Sequence, residues 1–214
     1  VGSEMCIRDR RNNDVIGYNN YFFERDGETT TVKNQYKFEV KLLSATIFKV
    51  EGYGEEIYLN DRLISFQSKT LQNKKEKFVS LKLDNSNKKF NIKGSSYSGE
   101  ASIKNIIGNW WSHKILQAES QISPISGSIK EQLVTFIGKE SVSINGKEFE
   151  TDHFKLTSKD MSLPEDKRLN FDIWLDKKTS VIVKVTYERM GNWEYRLKNI
   201  ESVSYTHLTL PTKN

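Results

Sequence analysis

The chain is poor in the residues on which several classes of protein depend. It contains one cysteine, three histidines and three prolines among 214 residues. A single cysteine cannot form a disulfide within the chain, and so few cysteines and histidines give no pattern of metal ligands. We therefore expect no disulfide framework, no metal site and no cofactor.

Long apolar runs are also absent, and charges of one sign are not clustered. No apolar stretch approaches the roughly 20 residues that a membrane-spanning helix needs. The 33 basic and 28 acidic residues give a formal net charge of +5 and are interleaved, as in the stretch QNKKEKF. A nucleic-acid groove would show a basic stripe. We expect neither a transmembrane segment nor a nucleic-acid partner.

The two ends of the chain differ from the Lys- and Asn-rich sequence between them. The five residues from Met5 to Asp9 can be encoded as ATG TGT ATA AGA GAC. The reverse complement of this DNA encodes Val-Ser-Tyr-Thr-His, which is the sequence from Val203 to His207. Inverted copies of one short DNA element at both ends are typical of an insert flanked by sequencing adapter.

We interpret residues 1–10 and 202–214 as translated adapter, which is excluded from fold reasoning. Residues 11–201 then form a single β-rich domain, a fragment of a longer native chain. Under this interpretation the ends do not pack as designed strands, and deleting them leaves the melting temperature nearly unchanged. The exclusion also removes Cys6 and His207 from the residues available for chemistry.

Alternation of apolar and polar residues dominates the rest of the chain. In the stretch YKFEVKL, one face carries Tyr36, Phe38, Val40 and Leu42, because successive side chains of a strand point to opposite sides. Similar patterns recur in FVSLKL, LNFDIWL, VIVKVTYE and NWEYRL, and Asn145-Gly146 predicts a tight hairpin. We predict an all-β, mainly antiparallel fold: a curved, partly closed sheet or half-barrel of about 9–11 strands.

One segment, GEASIKNIIGNWWSHKILQAES, lacks this alternation. We expect it to form a short helix or a loop that crosses the sheet. Its apolar side chains are the candidate lid or cavity lining of a ligand site. The alternative is that the tryptophans simply fill the core. The candidate ligand-binding residues are Ile103, Ile106, Ile107, Trp110 and Trp111.

The order of these features resembles an uncharacterised bacterial family of exported β-rich proteins, a domain of unknown function. The stretches that carry the resemblance are IGYNNYFFERDGETTTV, KFEVKLLSATIFKVEGYGEEIYLNDRLISFQSKT, the NWW of the crossing segment and FDIWLDKKTSVIVKVTYE. The family is similar in architecture to periplasmic lipoprotein-carrier half-barrels. The resemblance implies a periplasmic or exported location with a signal peptide. It implies no reaction and no functional residues.

Residues that could support catalysis are scattered. His113 and His153 lack a third ligand for a metal, and no serine lies in a G-x-S-x-G motif. The adjacent carboxylates Glu55 and Glu56 point to opposite faces of a strand and cannot act as a pair. The stretch EGYGEE lacks the Lys-Ser/Thr of a phosphate-binding loop. We predict no catalytic residues and expect that the protein is not an enzyme.

Three functions remain open at this stage. The first is a non-catalytic binding or carrier protein that holds a lipid, acyl chain or lipoprotein segment inside the curved sheet. It requires an apolar cavity at the crossing segment. The alternative is a structural or protein-interaction domain of the cell envelope with a filled core. An enzyme would require a cleft where His113 or His153 lies within hydrogen-bonding distance of a carboxylate.

Overall fold

The computed structural model describes residues 2–188 and 191–203, and strands account for most of them. The alternating segments extend because their β-branched and aromatic side chains suit a pleated surface that is half buried. Two short 3₁₀ helices interrupt the strands, at His113–Leu116 and Glu165–Lys167. The described strands are β1 (Gly2–Arg11), β2 (Asp14–Asp26), β3 (Thr29–Leu42), β4 (Ala45–Leu59), β5 (Arg62–Gln72), β6 (Lys75–Asp84), β7 (Lys89–Gly94), β8 (Ser98–Ser102), β9 (Ile106–Ile107), β10 (Ser120–Ile122), β11 (Ile129–Ile144), β12 (Lys147–Ser158), β13 (Asn170–Asp176), β14 (Ile182–Glu188) and β15 (Asn192–Val203).

These strands form one sheet in the order β8-β7-β6-β5-β4-β3-β2-β1-β15-β14-β13-β12-β11-β10-β9. Neighbouring strands are antiparallel, except that β9 and β10 are parallel. The expectation of an all-β, mainly antiparallel fold is therefore confirmed. The described chain has 15 strands instead of about 9–11, because strands of two to five residues such as β8, β9 and β10 are too short to show alternation.

The sheet is strongly curled. Ile107 of β9 and Ile122 of β10 belong to the same apolar cluster as Phe66 of β5 and Phe90 of β7, although these strands lie far apart in the strand order. Open sheets of this size usually curl, because the twist between strands accumulates. The inner face of the curl therefore forms the core.

Two adjoining clusters fill this core. The first lies inside β1–β3 and β11–β15 and includes Tyr21, Leu156 and Ile173. The second lies inside β5–β8 and includes Phe66 and Leu81. Tyr58 of β4 packs against both clusters, so the interior is continuous.

Most tight turns use the residues that their geometry requires. Four two-residue hairpin turns of the described chain place both central residues at positive φ, a conformation that favours Gly, Asn and Asp. Three of them obey this preference: Asn12-Asn13, Asn60-Asp61 and the predicted Asn145-Gly146. The fourth, Leu43-Ser44 between β3 and β4, does not.

The N-terminal segment is part of the sheet. Residues 2–11 form β1, which pairs with β2 on one side and with β15 on the other. Met5 and Ile7 are buried in the first core cluster. The expectation that residues 1–10 do not pack as a strand is therefore wrong for residues 2–10. Three consecutive buried residues, Met5, Cys6 and Ile7, lie in the slot between β2 and β15. The adapter origin of both ends stays a prediction, and residues 204–214 lie outside the described residues.

The predicted crossing segment passes through the inside of the curl. We define it as residues 103–126, which include β9, the first 3₁₀ helix and β10. Hydrogen bonds fasten it to the surrounding strands and turns: Ser68 Oγ donates to the Pro124 carbonyl at 2.5 Å, the Ser96 amide donates to the Ser126 carbonyl at 2.9 Å, and Gln132 Nε2 of β11 donates to the Ile115 and Ala118 carbonyls at 2.7 and 2.9 Å. A further attachment, through Glu56, lies at the candidate site.

Candidate functional site

A cavity of about 670 Å³ lies between the crossing segment and the inner face of the sheet. Strands β3, β4, β5 and β7 supply one side of it, and the crossing segment supplies the other. Its volume falls within the range of about 300 to 1,000 Å³ that is usual for ligand sites. Its apolar lining consists of Tyr58, Leu63, Phe90, Ile103, Ile106, Ile107 and Trp111.

Four of the five predicted ligand-binding residues line this cavity, and they are Ile103, Ile106, Ile107 and Trp111. The indole of Trp111 meets the ring of Phe23 edge-on at 5.4 Å and that of Tyr58 at 5.9 Å. These contacts fix the indole as a wall of the cavity. The structure therefore brings these four residues together at one cavity, and their role in ligand binding stays a prediction.

Trp110 does not line the cavity. It is 9 % exposed and belongs to the first core cluster, where its ring lies 5.0 Å from that of Phe171 and 6.1 Å from that of Tyr195. Contrary to the prediction, Trp110 is therefore not one of the residues that line this cavity. The chain bends at these two residues, and Trp110 packs into the core while Trp111 lines the cavity.

The floor of the cavity contains a buried carboxyl group. Glu56 of β4 is 2 % exposed, and its register partner on β3 is the buried Val32. Glu56 Oε1 accepts hydrogen bonds from Asn109 Nδ2 and, at 3.0 Å, from Trp111 Nε1. Glu56 Oε2 accepts one from the Tyr58 hydroxyl. Glu56 therefore fastens the crossing segment to β4.

Burial raises the pKa of Glu56, and the hydrogen bonds from Tyr58, Trp111 and Asn109 oppose this effect only in part. A carboxyl group loses hydration on burial, which disfavours its charged form. All three donors are uncharged groups, so no cation compensates the carboxylate through these bonds. The raised pKa favours a neutral cavity floor, which suits an apolar occupant.

The mouth of the cavity is polar. Asp61, Arg62 and Lys114 are exposed, and His113 is partly exposed. Arg62 follows the β4–β5 turn, whereas Lys114 lies in the 3₁₀ helix of the crossing segment. Two cationic side chains therefore approach the mouth from opposite walls. Such a mouth suits the anionic head of an amphipathic molecule whose tail lies inside.

A separate polar network lies on the outer face of β11–β13. His153 Nε2 is 2.8 Å from Asp172 Oδ1, and His153 Nδ1 is 3.3 Å from Glu140 Oε1. The imidazole stacks on the indole of Trp174 with ring centres 4.4 Å apart. Lys155 Nζ donates to the other Asp172 oxygen at 2.6 Å.

His153 lies within hydrogen-bonding distance of a carboxylate, which is the contact that an enzyme would require. The network nevertheless has the features of a structural cluster. Both ring nitrogens of His153 face carboxylates, and both oxygens of Asp172 are engaged. In the described part of the chain, no hydroxyl or thiol group is hydrogen-bonded to His153. Nor do the described residues contain a group of three or more His, Cys, Asp or Glu side chains that could hold a metal ion.

Two further hollows lie elsewhere on the sheet. One of about 620 Å³ is lined by residues of β2–β6, among them Tyr36, whose hydroxyl is 2.5 Å from Thr70 Oγ1. Gly52 lies beneath this tyrosine, and a Cβ there would be 2.6 Å from its hydroxyl oxygen. The other hollow, of about 390 Å³, is lined by Lys155 and Asp172. Neither is enclosed by the crossing segment.

Glu56, Tyr58 and Arg62 line the site but were not predicted from the sequence as site residues. The signal for Glu56 was present, because the alternation in VEGYGEEIYL places Glu56 on the same face as Val50 and Tyr58. A lone carboxyl group at an inward position requires a partner. The identity of that partner depended on the path of the crossing segment, which the sequence does not reveal.

The fold and the cavity define a class of β-barrel-like proteins in which one curled antiparallel sheet surrounds an internal segment. The chain belongs to the family described as domain of unknown function DUF6134, whose sequence profile matches residues 10–198. A search of curated proteins found no match.

Two solved structures of low sequence identity are similar to this chain to different degrees. A β-barrel-like protein of the domain of unknown function DUF1849 from Brucella abortus has a TM-score of 0.61 and 11 % identity, and the match covers 95 % of this chain and 97 % of that one. A protein described as exported, with a YmcC-like fold, from Bacteroides fragilis has a TM-score of 0.38 and 10 % identity, with 94 % and 95 % coverage. The first of these similarities supports the fold alone.

Proposed function

We propose that the protein is a non-catalytic binding or carrier protein that holds an apolar ligand, such as an acyl chain or lipid, in the cavity beside Trp111. The observation that carries the proposal is the cavity itself. It has the size of a ligand site, a lining of seven largely apolar side chains and a floor whose only acidic group has a raised pKa.

The charges at the mouth refine the class of ligand. Arg62 and Lys114 lie at the mouth, opposite the buried Glu56 at the floor. A fatty acid or another single-chain anionic amphiphile matches this arrangement, because its tail would displace water from apolar walls while its head stays near the cations. The buried carboxyl group disfavours an anionic head at the floor.

A fluorescent fatty acid tests the proposal. We expect saturable binding of a dansyl-labelled fatty acid to the wild-type protein and at least about tenfold weaker binding to Trp111→Ala, because the indole forms one wall of the cavity. Leu133→Ala is the matched control, since Leu133 is 52 % exposed and does not line the cavity. Thermal melts of both variants establish that any loss of binding exceeds the loss of stability.

Two results would overturn the proposal. One is the absence of saturable binding to the wild-type protein. The other is equal binding to wild type and Trp111→Ala, which would place the fatty acid elsewhere. Replacing Arg62 and Lys114 with glutamine should weaken binding of the fatty acid more than that of its uncharged methyl ester.

One observation favours a second candidate, a structural or protein-interaction domain of the cell envelope. Trp110, Ile115 and Ile122 of the crossing segment are buried and fill much of the interior. Under this alternative the cavity beside Trp111 would hold only water. Absence of fatty-acid binding together with a large loss of stability when Trp110 and Trp111 are replaced by alanine would favour it.

The proposal includes a periplasmic or exported location. Its support is the sequence resemblance to exported β-rich proteins described above. In the described residues, no helix has the length and apolar character needed to cross a membrane. Fractionation of cells that express the full-length native gene tests the location, and recovery only in the cytoplasm would contradict it.

A further inference from the structure

The hairpin between β3 and β4 projects beyond its neighbours. Pairing between β2 and β3 ends at Gly17 and Phe38, and pairing between β4 and β5 begins at Val50 and Gln72. About four residues of each hairpin strand therefore lie beyond the last residues paired with β2 and β5, which is roughly 13 Å at 3.4 Å per residue, and β2 itself continues to Asp14. We call residues 41–47 the hairpin tip.

All seven residues of the hairpin tip are exposed, and its bulky side chains are apolar. Leu43 is 95 % exposed, Leu42 is 61 % exposed and Ile47 is 51 % exposed. Single exposed apolar residues are common on proteins, but here three of them lie within the six residues from Leu42 to Ile47 at the end of one hairpin.

The backbone conformation of the hairpin tip is unfavourable for the side chains that it carries. Leu43 has a φ of 48° and Ser44 has a φ of 67°. A bulky side chain at positive φ is disfavoured, and asparagine or glycine would relieve the strain. The other hairpin turns of this kind in the described chain have Asn, Asp or Gly at these positions. Strained residues that persist at an exposed position point to a function of the side chain.

Lysines surround the tip. Lys41 lies within it, and Lys74 and Lys75 are exposed on the neighbouring β5–β6 hairpin at the same end of the sheet. That hairpin is joined to the projecting one by two hydrogen bonds between Lys49 and Asn73, of 2.7 and 2.9 Å. An apolar tip with exposed lysines beside it matches the boundary between acyl chains and anionic headgroups of a lipid bilayer.

We propose that the hairpin tip docks the protein on an anionic lipid membrane by inserting Leu42, Leu43 and Ile47 into the interface. The tip and the cavity lie at opposite ends of the sheet. Thr30, which lines the cavity, is 12 residues from Leu42 along β3, a distance of about 40 Å. Docking through the tip therefore leaves the mouth of the cavity facing away from the membrane.

Flotation with lipid vesicles tests this proposal. We expect the wild-type protein to float with vesicles of phosphatidylethanolamine and phosphatidylglycerol, and more weakly with phosphatidylcholine alone. Leu43→Asn should bind the anionic vesicles about tenfold more weakly, because it removes the most exposed apolar side chain of the tip. Lys41→Gln should reduce binding to anionic vesicles and leave binding to phosphatidylcholine unchanged.

Leu59→Asn is the matched control. Leu59 is 43 % exposed and precedes the turn at the opposite end of the same strand, β4. It should bind vesicles like the wild type. Leu43→Asn should also melt at the same or a higher temperature, because asparagine tolerates positive φ better than leucine. Loss of binding without loss of stability separates a docking role from a structural one.

Three results would overturn the proposal: failure of the wild type to float with anionic vesicles, equal loss in Leu43→Asn and Leu59→Asn, or dimers that depend on Leu43 without vesicle binding. The last would show that the tip contacts a second copy of the chain. This test is independent of the ligand proposal. Leu43→Asn should leave fatty-acid binding unchanged, and Trp111→Ala should leave vesicle binding unchanged.

Discussion

The buried carboxyl group of Glu56 allows a detailed test of how the crossing segment is held. Glu56→Ala removes the acceptor of three hydrogen bonds. The Asn109 side chain is 8 % exposed and would lose its partner without access to bulk water. An unsatisfied buried donor costs about 1–3 kcal/mol, so two or three of them should lower the free energy of unfolding by roughly 2–9 kcal/mol.

Glu56→Gln separates the effect of charge from that of shape. The glutamine oxygen can accept from Asn109 and Trp111, while its amide can donate to the Tyr58 oxygen. Because the pKa of Glu56 is raised from its ordinary value of 4.5, the folded protein retains this proton to a higher pH than the unfolded chain does. The contribution of Glu56 to stability is therefore fully present below pH 4.5 and decreases as the pH rises toward the raised pKa.

The free energy of unfolding of Glu56→Gln should consequently rise relative to that of the wild type as the pH increases above 4.5. Urea denaturation of both proteins across this range measures the difference. Asp9, whose pKa burial raises to about 7, adds the same pH dependence to both proteins and cancels. A difference that does not change with pH, or that changes in the opposite direction, would refute the argument. So would a Glu56→Ala variant as stable as the wild type.

Two further predictions follow from the backbone. Gly146→Val should destabilise the protein by about 1 kcal/mol or more in urea denaturation, because Gly146 has a φ of 77° and valine tolerates positive φ poorly; a neutral result would contradict the observed turn. Deleting residues 2–10 should lower the melting temperature by many degrees, because β1 is the strand that joins β2 to β15; an unchanged melting temperature would instead support the adapter interpretation and the original expectation for this segment.

Local patterns in the sequence were sufficient to predict several features of the fold. Alternation predicted the antiparallel sheet, since the period of two is a property of an extended chain whatever its partners are. The Asn145-Gly146 turn was predicted for the same kind of reason, because positive φ is a local requirement. The loss of alternation after β8 correctly marked the segment that crosses the sheet.

The tertiary structure decided the rest. Trp110 and Trp111 are adjacent in the sequence, yet one packs into the core and the other lines the cavity, because their contacts come from strands distant in the chain. Glu56 became part of the site only when the curl brought Asn109 and Trp111 against β4. The sequence by itself therefore determined which segments extend and turn, which are short-range properties of the backbone. Which side chains share a cavity was decided by the curl of the sheet and the path of the crossing segment, which depend on long-range packing.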